Sequence, residues 1–222
     1  MSDKTTPPAQ YLAKFLAFAE IISILLSCLI AEWVFLSFFR LQRWLIMLPI
    51  AIALGYMLLS HRAYKESPRE LGFRFDNLIP ALRLVLWPTL IAVVVVVAVG
   101  WYLTGAPALD RLLRPRLLLV PAWALVQQYA LQGFINRRAQ VALGKTRWSV
   151  VMVAVVFAML HLPNPALSGL TLIGGLIWAA TYQREANLFA LAASHTVASL
   201  SLAMAIPLNV INGLRVGFKY FG

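Results

Sequence analysis

The sequence predicts an all-α fold, a polytopic membrane bundle of about seven transmembrane helices, and three observations carry the prediction. Hydrophobic residues fill 61% of the 222 positions and charged residues only 12%, whereas soluble domains run at roughly 45 to 50% and about 25%. The apolar positions gather into runs of the length needed to cross a hydrocarbon core of roughly 30 Å, and the mean hydropathy is +0.80. The cations behind the net charge of +11 sit between those runs. A nucleic-acid binder gathers them on one soluble face, whereas short loops beside anionic headgroups scatter them this way. Membrane lipid is therefore an expected partner and nucleic acid is not.

The first run, 11–39, is interrupted by Lys14, Glu20 and Glu32 and exceeds the roughly 20 residues a span needs. The second covers 44–60 and the third 78–103, with its β-branched stretch from Val94 to Val97. The fourth, 117–134, is expected to continue as a helix toward Leu143. The fifth, 148–162, stops at Pro163 and Pro165, since proline cannot continue the backbone ladder. The sixth and seventh are 166–182 and 188–206. The polar start, with Pro7 and Pro8, precedes a run too long for a signal-peptide core, so the N-terminus is expected to be retained. Ser2 stands where myristoylation needs glycine, and the C-terminus is no prenylation box.

Residues 1–222 read as a single transmembrane domain without linker, low-complexity segment or internal repeat. The loop 61–77 reads as a solvated connector carrying His61, and the tail after Pro207, with Arg215, Phe218, Lys219, Tyr220 and Phe221, suits the headgroup layer. Seven spans divide the 19 Lys and Arg residues twelve to seven between the two faces. The richer face holds the N-terminus, which is expected to be cytoplasmic, with a bacterial inner membrane as the expected location. The lone cysteine, Cys28, rules out an intramolecular disulfide.

Against this apolar background, the fourth run carries Gln127, Gln128, Gln132, Asn136 and Gln140. Gln128, Gln132, Asn136 and Gln140 recur every fourth residue and line one side of a helix, which must pack on polar groups or line a wet cavity. His161 and His195 fall inside the fifth and seventh runs. An ionisable residue there is a functional candidate, although a neutral imidazole bridging two helices is ordinary glue. At about 1.5 Å per residue and a core of roughly 30 Å, Gln127, His161 and His195 lie about 15, 10 and 20 Å from the non-cytoplasmic face. Three helices thus bring amides and imidazoles to similar depth, and a shared polar site is expected.

Gln127-Gln128-Tyr129-Ala130-Leu131-Gln132-Gly133, then Phe157 to His161, then His195-Thr196-Val197-Ala198-Ser199 resemble the three motifs of the CPBP family. That family comprises CAAX prenyl protease 2, bacteriocin-processing and abortive-infection type intramembrane proteases, with the pattern Glu-Glu-x-x-x-Arg, Phe-x-x-x-His and His-x-x-x-Asn. The resemblance extends over about 121–206. It implies an endopeptidase of the CAAX class acting on membrane-embedded or lipidated peptides, with Gln127, Gln128, Gln132, His161, His195 and Ser199 at the catalytic positions. In the family the first glutamate is thought to activate a water, while a histidine and the asparagine help bind the developing oxyanion.

Here glutamines stand in place of both glutamates and the arginine, and Ser199 in place of asparagine. A glutamine holds a water without taking its proton, because its amide is neither acid nor base near neutral pH. Losing the arginine together with the carboxylates is coherent, since an unpaired buried cation is expensive. Two histidines without a carboxylate or thiolate fall short of a catalytic zinc site, so neither metal nor cofactor is expected. His161 or His195 is an alternative proton acceptor. Glu20 and Glu32 on the first run are further candidates, with an interhelical ion pair or hydrogen bond as the plainer role. Ser194, Ser199 and Ser201 sit among alanines at spacings that favour close helix packing. Two other functions stay open: a catalytically silent relative binding a peptide or partner protein in the cavity, and a small transporter.

Overall fold

The computed structural model describes residues 7–35, 37, 47–105 and 118–222, which form helices joined by turns with no strand among them. The ends of several expected runs, and Lys4, Arg40, Arg43, Arg111, Arg114 and Arg116 of the charge balance, lie outside the described residues.

Helix α1, Pro7–Ile30, passes into a π-helical turn, Ala31–Phe35. Helix α2 is Met47–Ala63 and α3 is Leu78–Thr104. Helix α4, Val120–Gln128, runs through a π-helical stretch, Tyr129–Asn136, into α5, Arg137–Leu143. Then come α6, Arg147–Met159, α7, Pro165–Arg184, and α8, Leu188–Ala205, followed by two short 3-10 turns. The protein is an all-α membrane bundle. Among the described residues four helices are long and apolar enough to cross: Pro8–Phe35, Leu78–Thr104, Pro165–Arg184 and Leu188–Ala205. Helix α6 is apolar but short, reaching about 20 Å at about 1.5 Å per residue. The expected fourth run is divided by its π-helical stretch.

Side chains at the helix starts set these boundaries. Thr146 and Ser149 form a reciprocal capping box on α6. Asn164 caps α7 by accepting from the Leu167 amide at 3.1 Å, with Pro165 as the first helical residue. Asn187 caps α8 through the Ala190 amide at 2.9 Å. Small residues then allow close crossings. A Cβ on Gly175 would come within 2.9 Å of the Ala154 Cα, so α6 and α7 touch backbone to side. One on Gly100 would lie 2.3 Å from the Ala205 carbonyl, which joins α3 to the end of α8.

Segment 61–77 is exposed at 62–65, 67–70, 75 and 76, as a solvated connector would be, but His61, Leu71, Gly72 and Asn77 are buried. His61 belongs to α2 and is 3% exposed. The Leu71 carbonyl accepts from Tyr182 Oη at 3.0 Å, and the Gly72 carbonyl from the Leu188 amide at 2.9 Å. Asn187 Nδ2 donates to the Arg74 carbonyl and to Asn77 Oδ1, both at 2.8 Å. The stretch from Leu71 to Asn77 thus docks on α7, α8 and the cap between them through its backbone carbonyls.

That same end holds a buried ionic cluster. Arg138, 1% exposed, donates to Glu20 Oε2 at 2.5 Å, to Ser60 Oγ at 2.9 Å and to both oxygens of Glu66 at 3.1 and 2.9 Å. Its guanidinium lies 4.1 Å from the centre of the Tyr64 ring. Glu66 also receives Arg137 Nε and pairs with His61 Nδ1, each at 2.6 Å. Burial pushes the Glu66 carboxyl up, but hydrogen bonds from His61, Arg138 and Arg137 outweigh it and hold it well below the usual carboxylate range. The cluster ties α1, α2 and α5 together.

Candidate active site

A polar stripe inside the bundle runs from α4 through the π-helical stretch into α5. The amide stripe is real but does not form one continuous ladder. Asn136 Nδ2 donates to Gln132 Oε1 at 2.7 Å and Gln140 Nε2 donates to Asn136 Oδ1 at 3.1 Å, so three of the four expected rungs are joined. Asn136 also reaches the Ala179 carbonyl at 3.2 Å and accepts from Gln183 Nε2 at 3.0 Å, which fastens the ladder to α7. Gln128 instead turns to α8, its Nε2 lying 3.2 Å from His195 Nδ1. Gln128, Gln132 and Asn136 are fully buried, and Gln128 Oε1 and Gln132 Nε2 have no hydrogen-bond partner. The π-helical winding begins at the residue after Gln128. It is one of the few distortions that re-aim successive side chains on a continuing helix, and such stretches recur at functional sites.

The two histidines are oriented by different partners. His161 Nδ1 donates to the Phe157 carbonyl at 2.7 Å, one helical turn back, which leaves Nε2 as the bare, accepting nitrogen. At His195 the amide of Gln128 donates to Nδ1, so the ring proton sits on Nε2 and that nitrogen is a donor. Phe157 stands edge-on to both rings, at 4.8 Å from His161 and 5.9 Å from His195. Trp178 lies beside His195 at 4.5 Å. Its Nε1 donates to Ser194 Oγ at 3.0 Å, and because Thr89 already donates to the Val85 carbonyl, Ser194 must donate to Thr89 Oγ1 at 2.6 Å. Ser194 therefore bridges Trp178 and Thr89, and Ser201 is bonded back to the Val197 carbonyl.

A cavity of about 700 Å³, mainly apolar, opens between these helices. Gln127, His161, His195 and Ser199 all line it. Gln128 and Gln132 do not, being held behind the wall. The structure thus brings four of the six sequence-selected residues to one space and gives the other two to the scaffold. Of the two glutamates on the first run, Glu20 is spent on Arg138 and Ser60, whereas Glu32 lines the cavity. Trp178 and the ionic cluster escaped sequence reading because no spacing links residues on separate helices. No group of three or more metal-ligating side chains occurs among the described residues.

This arrangement coincides with the segment that a family comparison singles out. Residues 113–201 match the family described as type II CAAX prenyl endopeptidase Rce1-like. That stretch is therefore similar to CPBP-type intramembrane proteases. The match spans about two fifths of the chain, from just before α4 into α8, and takes in every residue of the three motifs. Comparison with curated proteins and with solved structures gave no match. Within the matched stretch the two motif histidines keep their place on the cavity, while the positions of the charged motif carry neutral amides.

Proposed function

We propose that this integral membrane protein is an endopeptidase of the CAAX class, cleaving hydrophobic or lipidated peptide segments that enter the cavity from the bilayer. One observation carries the reading. Two imidazoles, fixed in complementary proton states by Phe157 and Gln128, line the same largely apolar cavity. The Nε2–H of His195 is a donor for the oxygen of a scissile carbonyl, where negative charge develops during attack. The bare Nε2 of His161 is an acceptor suited to holding the attacking water. Gln127 adds an amide that orients without exchanging a proton, and Ser199 a hydroxyl in the place of the family's asparagine. A volume of about 700 Å³ lies within the roughly 300 to 1,000 Å³ of ordinary ligand sites. The Lys and Arg balance over seven spans is the ground for placing the N-terminus in the cytoplasm.

A second reading is favoured by the neutral amides: the cavity binds a peptide or partner protein without cutting it. Purified full-length protein incubated with hydrophobic and lipidated peptides, with products read by mass spectrometry, separates the two. Cleavage that disappears in His161→Ala supports the protease. Saturable peptide binding without product supports the binding protein.

A further inference from the structure

We propose that Glu32 is the general base of this site, supplying from the π-helical turn after α1 the carboxylate that the glutamine-bearing motif on α4 lacks. The inference deepens the protease reading and rests on it. Glu32 is the only carboxylate among the described residues lining the cavity that holds Gln127, His161 and His195. Its Oε2 is buried and has no hydrogen-bond partner. A buried carboxylate oxygen without a partner is costly, and native proteins keep few of them outside functional sites.

Its placement next to the histidine motif is built by the C-terminal tail. The Gly217 amide donates to the Leu162 carbonyl at 2.8 Å, directly after His161. Gly217 has φ of 56°, and a Cβ there would fall 2.8 Å from Glu32 Cβ and 2.9 Å from the Glu32 carbonyl. With standard backbone dimensions these contacts put the root of the Glu32 side chain within about 8 Å of the Leu162 carbonyl. Only glycine permits both this conformation and this approach. Asn164 secures the same tail, donating to the carbonyls of Ile211 and Arg215 at 2.9 and 3.1 Å. The π-helical turn Ala31–Phe35 lies at this point of the first helix. The segments that present Glu32 and Gln127 are thus each marked by a π-helical winding, at Glu32 itself and directly after Gln128. Lys219, the cation among the described lining residues, faces the same cavity.

In the step, a water held by His161 Nε2 gives its proton to the Glu32 carboxylate as its oxygen bonds to the scissile carbonyl carbon. The carbonyl oxygen takes up the electron pair and is met by His195 Nε2–H. Collapse breaks the C–N bond while the Glu32 proton passes to the departing nitrogen, giving one carboxyl and one amine product.

The test compares native full-length protein, Glu32→Gln, Glu32→Asp, His161→Ala and the double variant Glu32→Gln with Gln127→Glu, in detergent, on the same peptides. Thermal unfolding confirms that each is folded. A general base contributes about 10²- to 10⁴-fold. Glu32→Gln is expected to lower kcat by about 100-fold or more with KM within about threefold, and Glu32→Asp and the double variant to recover part of the loss. If folded Glu32→Gln keeps native kcat while His161→Ala is inactive, Glu32 is not the base and the protease reading stands. If the native protein yields no product from any peptide, the protease reading fails and the assignment falls with it.

Discussion

Arg138→Ala should be among the most damaging single substitutions in this chain. The guanidinium satisfies two carboxylates from different segments, and the side chains of Arg138, Glu66 and Glu20 are 1%, 10% and 13% exposed. After truncation Glu66 keeps Arg137 and His61. Among the described residues Glu20 keeps only the Ser60 hydroxyl, at 2.6 Å. The loss is therefore concentrated on Glu20, a charge left in a low-dielectric interior, and breaking a buried pair in this way costs about 3 to 5 kcal/mol. For a chain of this size that corresponds to a fall in the unfolding midpoint on the order of 10 °C. The measurement is thermal unfolding in detergent micelles, alongside Arg138→Met combined with Glu20→Gln. The pair removes the unpaired charge and keeps volume, so it should recover most of the midpoint. A fall of less than about 2 °C for Arg138→Ala, or a double variant no better than the single, would refute the argument that charge pairing and not packing holds this end.

Three further perturbations probe separate joints. Because the Glu66 pKa lies below its ordinary value of 4.5, its contribution is complete above about pH 4.5 and is lost as pH falls from there toward the folded pKa; Glu66→Gln should flatten that acid limb of a midpoint-against-pH curve. Asn187→Ala removes the α8 cap and leaves Asn77 and the Arg74 carbonyl without their donor, so a loss of about 2 to 3 kcal/mol is expected, of which Asn187→Ser should restore the capping share in the same unfolding assay. Gly175→Leu drives a side chain into the Ala154 backbone and should cost about 1 to 3 kcal/mol or more by prying α6 from α7, whereas a substitution at Gly169, which meets nothing nearby, should leave the midpoint within about 0.5 kcal/mol of native.

Composition and the spacing of apolar runs were enough to establish an all-helical membrane protein, because burying a backbone in lipid leaves the helix as the main way to satisfy its amides. The every-fourth-residue amides and the motif order pointed to α4, α6 and α8, since a helix carries its 3.6-residue period in the sequence itself, but the amide that lines the cavity is Gln127, which lies off that stripe. What those patterns leave open is everything that depends on which helices meet. Glu20 and Glu32 are twelve residues apart on the same apolar run and look alike as sequence. The fold sends one to Arg138, 118 positions away, and the other into the cavity beside a tail that returns from the far end of the chain. Gln127 and Gln128 are neighbours, yet helical rotation points one into the cavity and the other to His195 Nδ1, where it sets the imidazole's proton. The sequence by itself determined the solvent this chain lives in and the helices that carry its polar groups. Only the tertiary structure decided which of those groups share a cavity, because that choice is made by side chains from distant segments competing to satisfy one another where water is absent.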